Sequence, residues 1–251
     1  SKKAKEALSS SLPKKNLMKI SLQNVGKRFN REWIFRHCSY DFLPGKNYAV
    51  TGPNGSGKST LLQVIAGATL HNEGTVEYKT DTGNVIPDSK KQHPVSSIQI
   101  PDSSIQYPVS SERSYQMISI AAPYLELIEE MAATEMLEFH AAFKPLIQSL
   151  SITEMLQTVG LGNAVNKQVR YFSSGMKQRL KLAQAFFSNT PVLLLDEPTT
   201  NLDADGIALY QSLISNYTQN KLVIVSSNVK QEYDFCEEVI GIGKFKTMAK
   251  I

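Results

Sequence analysis

The sequence predicts an α/β protein: a mixed, mostly parallel sheet flanked by helices, with an antiparallel β subdomain and an inserted α-helical subdomain. Three observations carry this expectation. Gly52-Pro-Asn-Gly-Ser-Gly-Lys-Ser-Thr60 stands between a strand-like run, Asn47–Thr51, and an apolar helical pattern, Leu61–Ala66. Pro191-Val-Leu-Leu-Leu-Asp-Glu197 and Leu222–Ser227 are apolar runs of the kind that strands buried on both faces require. Between these landmarks, residues 125–160 change to helical periodicity.

Taken in order, Met18-Lys-Ile-Ser-Leu-Gln-Asn-Val25 alternates apolar and polar, as a half-buried strand does. Phe29 to Phe35 reads as a turn and a second strand, and Cys38–Leu43 alternates again before the Pro44-Gly45 turn. Gly74–Lys79 is a further short strand. Residues 80–117 read as a low-complexity loop: Pro-x-Ser-Ser-Ile-Gln-x recurs every seven residues over 94–111, and proline at that spacing opposes a helix. Gln116–Ala122 returns to strand character. In the helical segment Met136, Phe139, His140 and Phe143 fall on one face, and His140 reads as a packed or rim histidine rather than a ligand. Ser151-Ile-Thr-Glu154 is a capping box, and Gly160 a helix stop. Phe172-Ser-Ser-Gly-Met-Lys-Gln-Arg179 opens another helix through Phe187, and Glu238–Gly243 is the last strand. The expected organisation is a basic tail over 1–17 and a single domain over 18–251. Within it, 18–122 and 171–251 form the core and β subdomain, and 123–170 the helical subdomain.

Composition narrows the function. A chain of 251 residues with 41% hydrophobic content suits a globular domain. No run of 18 apolar residues crosses a membrane, and no secretory leader is visible. The net charge is +4, but residues 1–17 carry five lysines against one glutamate, so the remaining 234 residues balance to zero. No nucleic-acid partner is therefore expected. Cys38 and Cys236 are far apart, lack metal-ligand spacing and read as buried thiols.

The glycine-rich stretch explains its own spacing. Glycines let the backbone wrap so that successive N–H groups face phosphate oxygens, and the following helix aims its positive end at the same anion. This makes Gly52, Pro53, Asn54, Gly55, Ser56, Gly57, Lys58, Ser59 and Thr60 candidate phosphate-binding residues of a P-loop NTPase core. Lys58 reaches the β- and γ-phosphates, and the Ser59 hydroxyl ligates Mg²⁺. The apolar strand ending in Asp196-Glu197 sets both acids at the carboxyl edge of the sheet, where ligands of open α/β sheets bind. Asp196 is placed for Mg²⁺ and Glu197 for polarising a water against the γ-phosphate.

With these motifs in order, the chain resembles the nucleotide-binding subunit of ATP-binding-cassette (ABC) transporters over residues 18–245. The phosphate loop Gly52–Ser59 is followed by signature-like Phe172–Gln178, a Walker B strand Val192–Asp196 with Glu197, and Asn201-Leu-Asp203 at the D-loop. The resemblance implies ATP and Mg²⁺ as ligands and a head-to-tail homodimer, or a heterodimer with another ABC subunit. In that pair ATP lies between one phosphate loop and the partner's Ser173 and Gly175, with Asp203 nearby. It implies Phe29, or else Trp33, stacked on adenine. It also implies a separate membrane permease docked on the helical insert, with the subunit on the cytoplasmic face.

Two departures from the family pattern bear on rate. The glutamine expected after the strand entering the helical domain is replaced, with Ala122 or Pro123 at that site. The switch histidine is replaced by Asn228, which can donate a hydrogen bond but carries no charge. Hydrolysis by Glu197, Lys58 and Asn228 is therefore expected to be slow or gated by a partner. The alternative reading is a soluble ABC-type switch or assembly module without a permease.

Overall fold

The computed structural model describes residues 18–80, 85–86 and 114–245; the basic tail and the seven-residue repeat lie outside them. Two sheets organise the chain. The first contains β1 (Met18–Phe29), β2 (Glu32–Phe42), β4 (Glu73–Thr80) and β5 (Val85–Ile86), in the order β2-β1-β4-β5, all antiparallel. The second contains β3 (Asn47–Thr51), β6 (Ile118–Ala121), β7 (Val192–Asp196), β8 (Leu222–Ser226) and β9 (Glu238–Gly241), in the order β6-β7-β8-β3-β9. Every pairing in this second sheet is parallel.

The apolar runs of β7 and β8 are accounted for by burial on both faces. Leu193, Leu195, Val223 and Val225 enter one hydrophobic cluster; Val192, Leu194, Leu222 and Ile224 enter the other. Alternation of side chains across a strand divides them this way. The first cluster holds the helices α3 (Ala133–Phe143), α4 (Ile152–Thr158), α5 (Ser174–Phe186) and α6 (Ala204–Tyr217) against the parallel sheet. The second packs α1 (Lys58–Ile65) and the antiparallel sheet against its other face. Fully burying each such Leu, Val or Ile contributes about 1.5–3 kcal/mol.

Three expectations need correction. The segments around Phe29–Phe35 and Cys38–Leu43 form one strand, β2, with irregular register against β1. His37 and Asn24 take left-handed backbone (φ 57 and 52) and are bridged at 2.8 Å, while Ser39 Oγ accepts from the Asn24 N–H. This bulge shifts the alternation without ending the strand. At 80–117, Thr80 ends β4, Val85–Ile86 pairs with it, and Ser114–Met117 is a short helix, α2, so Gln116 and Met117 precede the strand.

The stretch 125–160 is not continuously helical. Helix begins at Ala133, where Glu135 Oε2 takes the Ala132 N–H at 2.7 Å, and stops at Phe143. Lys144 is extended because Pro145 follows, and a residue before proline is pushed from helical backbone. Of the expected face only Met136 is buried; Phe139 and Phe143 are 42% and 53% exposed and stacked edge-on at 5.1 Å. His140 packs as expected, with Nε2 2.8 Å from Ser188 Oγ. Ser151 and Glu154 form their capping box, and Gly160 (φ 73) follows α4.

Candidate functional site

Parallel strands β3, β7 and β8 end together, so the loops after them meet at one edge. After β3 the chain turns through Pro53–Gly57 into α1, with Ser56 N–H donating to the Pro53 carbonyl at 3.0 Å. The first bond inside the helix runs from Leu61 N–H to the Gly57 carbonyl, leaving the preceding N–H groups without a helical partner. Gly57 has φ 101, and a Cβ there would lie 2.4 Å from Ile34 Cγ2 on β2. The loop therefore rests directly on the antiparallel sheet, and only glycine fits the contact.

Lys58 is buried, and its Nζ donates to the carbonyls of Gly52 at 2.9 Å and Pro53 at 3.4 Å. The ammonium is thereby folded back over the loop. Ser56, 2% exposed, has a hydroxyl with no protein partner, and Asp196, 1% exposed, has Oδ1 in the same condition. Buried polar atoms of this kind call for a ligand. One hydroxyl from Ser59 and one carboxylate from Asp196 suit Mg²⁺, which keeps waters and phosphate oxygens as its other ligands. Donors and acceptors present thus fit an ATP–Mg²⁺ complex.

Glu197 leaves the line of β7 with φ 42, its N–H bonded to the Ser226 carbonyl at 2.9 Å and its carbonyl accepting from Thr200 N–H at 3.1 Å. It borders a cleft of about 400 Å³ with Asn54, Thr199, Thr200, Ser227, Asn228, Val229 and Glu232. Asn228 is engaged at both ends of its amide: Oδ1 accepts from Gly52 N–H and Nδ2 donates to Asn54 Oδ1, each at 3.1 Å. It thus clamps the phosphate loop.

Ser173, Gly175 and Asp203 are gathered elsewhere, around a second cleft of about 350 Å³ with Met176, Arg179 and Asn201. Ser173 caps α5 by accepting from Met176 N–H. Asp203 caps α6 by accepting from Gly206 N–H at 2.8 Å and meets Arg179 at 3.2 Å. These contacts, the Gly206 bond foremost, hold the Asp203 carboxyl below its usual range. At the far end of β1, Phe29 is 48% exposed with Lys27 Nζ 4.6 Å from its ring centre. Trp33 is covered by Arg36 at 4.5 Å and Arg28 at 5.5 Å, which leaves Phe29 the freer ring.

Several contributing residues carry no motif. Tyr124 follows β6, which is paired with β7 beside Asp196. Although Tyr124 is 42% exposed, partial burial of its hydroxyl first, then the Asp196 charge, pushes it up to about 12. Gln178 of α5 donates to the Pro198 carbonyl at 2.8 Å, Lys181 to the Pro123 carbonyl at 2.8 Å, and Lys177 meets Glu129 at 2.5 Å. Nothing in the spacing marks Tyr124 or Glu232.

A family model described as ABC transporter matches residues 35–200. The chain belongs to the ABC transporter family. As an ABC ATP-binding protein it is an ATPase that binds ATP. It is 27% identical to the lantibiotic transport ATP-binding protein SrtF of Streptococcus pyogenes, over 88% of this chain and 85% of that one. It is also 27% identical to an uncharacterized ABC transporter ATP-binding protein, YybJ, of Bacillus subtilis, over 92% and 97%. A dimeric ATP-binding cassette bound to ADP and Pi shares its fold with TM-score 0.68 at 24% identity, covering 89% of this chain and 95% of that one. The ABC fold accounts for the pairing of a parallel sheet flanked by helices with an antiparallel sheet. No helix among the described residues is long and apolar enough to cross a membrane.

Proposed function

We propose that this ABC ATPase energises a separate membrane permease by closing, with a second ABC subunit, around two ATP molecules. The observation that supports it most is the meeting of Lys58, Asp196 and Glu197 at the ends of β3 and β7, with buried polar atoms lacking protein partners. Lys58 exchanges its loop carbonyls for the β- and γ-phosphates, neutralising charge on the transferred group. Ser59 and Asp196 would hold Mg²⁺, which would supply charge neutralisation for the phosphates. Glu197 orients and polarises the attacking water. Phe29 offers its open face to the base, where stacking is worth about 1–3 kcal/mol. Ser173 and Gly175 present the start of α5 to the partner's γ-phosphate, with Asp203 at the same junction.

We read hydrolysis as slow in the isolated chain. Asn228 must release Asn54 to reach a γ-phosphate, and as an amide it brings no charge. The permease would dock along residues 123–129 and α5, where Pro123, Leu125, Leu127, Lys177 and Lys181 border a cleft of about 410 Å³. That contact would place the subunit on the cytoplasmic face of the membrane. Ala122 or Pro123 in place of the glutamine favours the second reading, a permease-free ATP switch.

The test is Mg-ATP hydrolysis over a protein concentration series, with Glu197→Gln alongside. The expected result is turnover rising faster than linearly with protein and falling at least 100-fold in Glu197→Gln. Linear turnover would remove the sandwich, and full activity in the variant would remove Glu197 as the base. Co-purification of a multi-span membrane protein with the intact chain decides between permease-bound and permease-free readings.

A further inference from the structure

Glu232 is a buried carboxylate to which neither the sequence motifs nor the proposed chemistry gives a role. It lies in the short 3-10 turn Lys230–Glu232 after β8, and it is 2% exposed. Its Oε1 accepts from the Thr199 N–H at 2.8 Å and also from the Thr199 hydroxyl. Oε2 is buried and has no protein partner, and the side chain borders the same cleft as Glu197. Glu232 is itself held: its carbonyl accepts from the buried Tyr210 hydroxyl at 2.6 Å, and its N–H donates to the Val229 carbonyl at 3.0 Å.

The loop that Glu232 grips is the one that aims Glu197. Glu197 stands in left-handed backbone, a conformation a residue with a Cβ keeps only when its surroundings hold it there. Its anchors are the Ser226 carbonyl at the end of the neighbouring strand β8 and the Thr200 N–H within the turn. Two residues on, Thr199 accepts from Leu202 N–H, so the Glu232 contact fixes the turn and the start of the segment leading to Asp203. Thr199 has no comparable polar contact to β7 or to the phosphate loop among the described residues. One oxygen accepting both the N–H and the hydroxyl of Thr199 fixes that residue at two points.

We propose that Glu232 is a positioning residue for hydrolysis: through Oε1 it clamps Thr199 and so sets the aim of the Glu197 carboxylate at the attacking water. This rests on the reading of Glu197 as the base. It assigns the work to Oε1 alone. An amide at 232 keeps that oxygen and serves nearly as well, whereas alanine removes the clamp.

The test uses the full chain with Glu232→Ala, Glu232→Gln, Thr199→Ala and Glu197→Gln. Turnover, affinity for a fluorescent ATP analogue, and amide exchange over residues 197–203 are measured for each. Glu232→Ala is expected to lower kcat at least tenfold with nucleotide affinity within twofold of the parent. Exchange at 199–202 should rise at least tenfold. Glu232→Gln should keep kcat within threefold, and Thr199→Ala, which leaves the N–H contact, should lose about threefold. Parent-like kcat in Glu232→Ala overturns the proposal. So does an equal loss in Glu232→Gln, which would move the role to Oε2, and so does unchanged exchange at 199–202. If Glu232→Ala does not fold, parent-like turnover and exchange in Thr199→Ala overturn it. Unimpaired turnover in Glu197→Gln sinks the base assignment instead, and the exchange result still tells whether the clamp exists.

Discussion

At the scale of single residues, the candidate site holds its polar side chains in contacts with its own loop. Lys58 rests on the Gly52 and Pro53 carbonyls, and Asn228 on Gly52 N–H and Asn54. Lys58→Met is expected to weaken ATP binding roughly 10- to 100-fold, the worth of a hydrogen bond to a charged group at about 1.5–3 kcal/mol. Its melting temperature without nucleotide should change little, because the lost partners are loop carbonyls. Nucleotide titration and thermal melting check the two halves. The phosphate loop and the Asp196-Glu197 pair were legible in the sequence because backbone wrapping and metal chemistry dictate residue type and spacing locally. Glu232 and Tyr124 were not, since each is set by a partner distant in sequence: Thr199 is 33 positions from Glu232, and the Asp196 charge acts on Tyr124 because β6 lies beside β7.

At the scale of elements, strands buried on both faces were the easiest to read, because an apolar run bounded by turns has few other uses. What periodicity missed were local interruptions. The bulge at Asn24 and His37 shifts alternation inside one strand, and Pro145 ends α3 although apolar residues continue beyond it. A less visible constraint sits at the start of β4. Gly74 has φ 80, and a Cβ there would lie 2.3 Å from the carbonyl oxygens of Gln23 and Asn24. Gly74→Ala is therefore expected to destabilise by roughly 2–4 kcal/mol, since backbone atoms of β1 cannot step aside. Thermal unfolding should show a midpoint lower by roughly 4–16 °C, as domains of this size move about 2–4 °C per kcal/mol.

For the whole molecule, the same interior that holds the site also sets its acid limit. His140 is held down to about 4 by burial, with the Lys144 charge adding to it, and it bonds Ser188, whose carbonyl takes Lys221 Nζ at 2.6 Å. The unfolded chain, with an ordinary histidine near 6.5, binds the extra proton first. Between about pH 6.5 and 4 the unfolded state thus holds more protons, and stability falls as pH is lowered through that window. Urea unfolding at pH 5 and pH 7.5 should differ by roughly 1–2 kcal/mol on this account, and His140→Asn should narrow the gap. One further feature reaches across the molecule. Helix α5 holds the Pro198 carbonyl by Gln178 at one side, and the segment around Pro123 and Glu129 by Lys181 and Lys177 at the other. If a permease docks on that segment as proposed, α5 would pass the contact across its width to the Pro198 loop. Such a signal would have a sign and a size but no chemical identity, so under that reading the cassette would answer to force whatever is being moved.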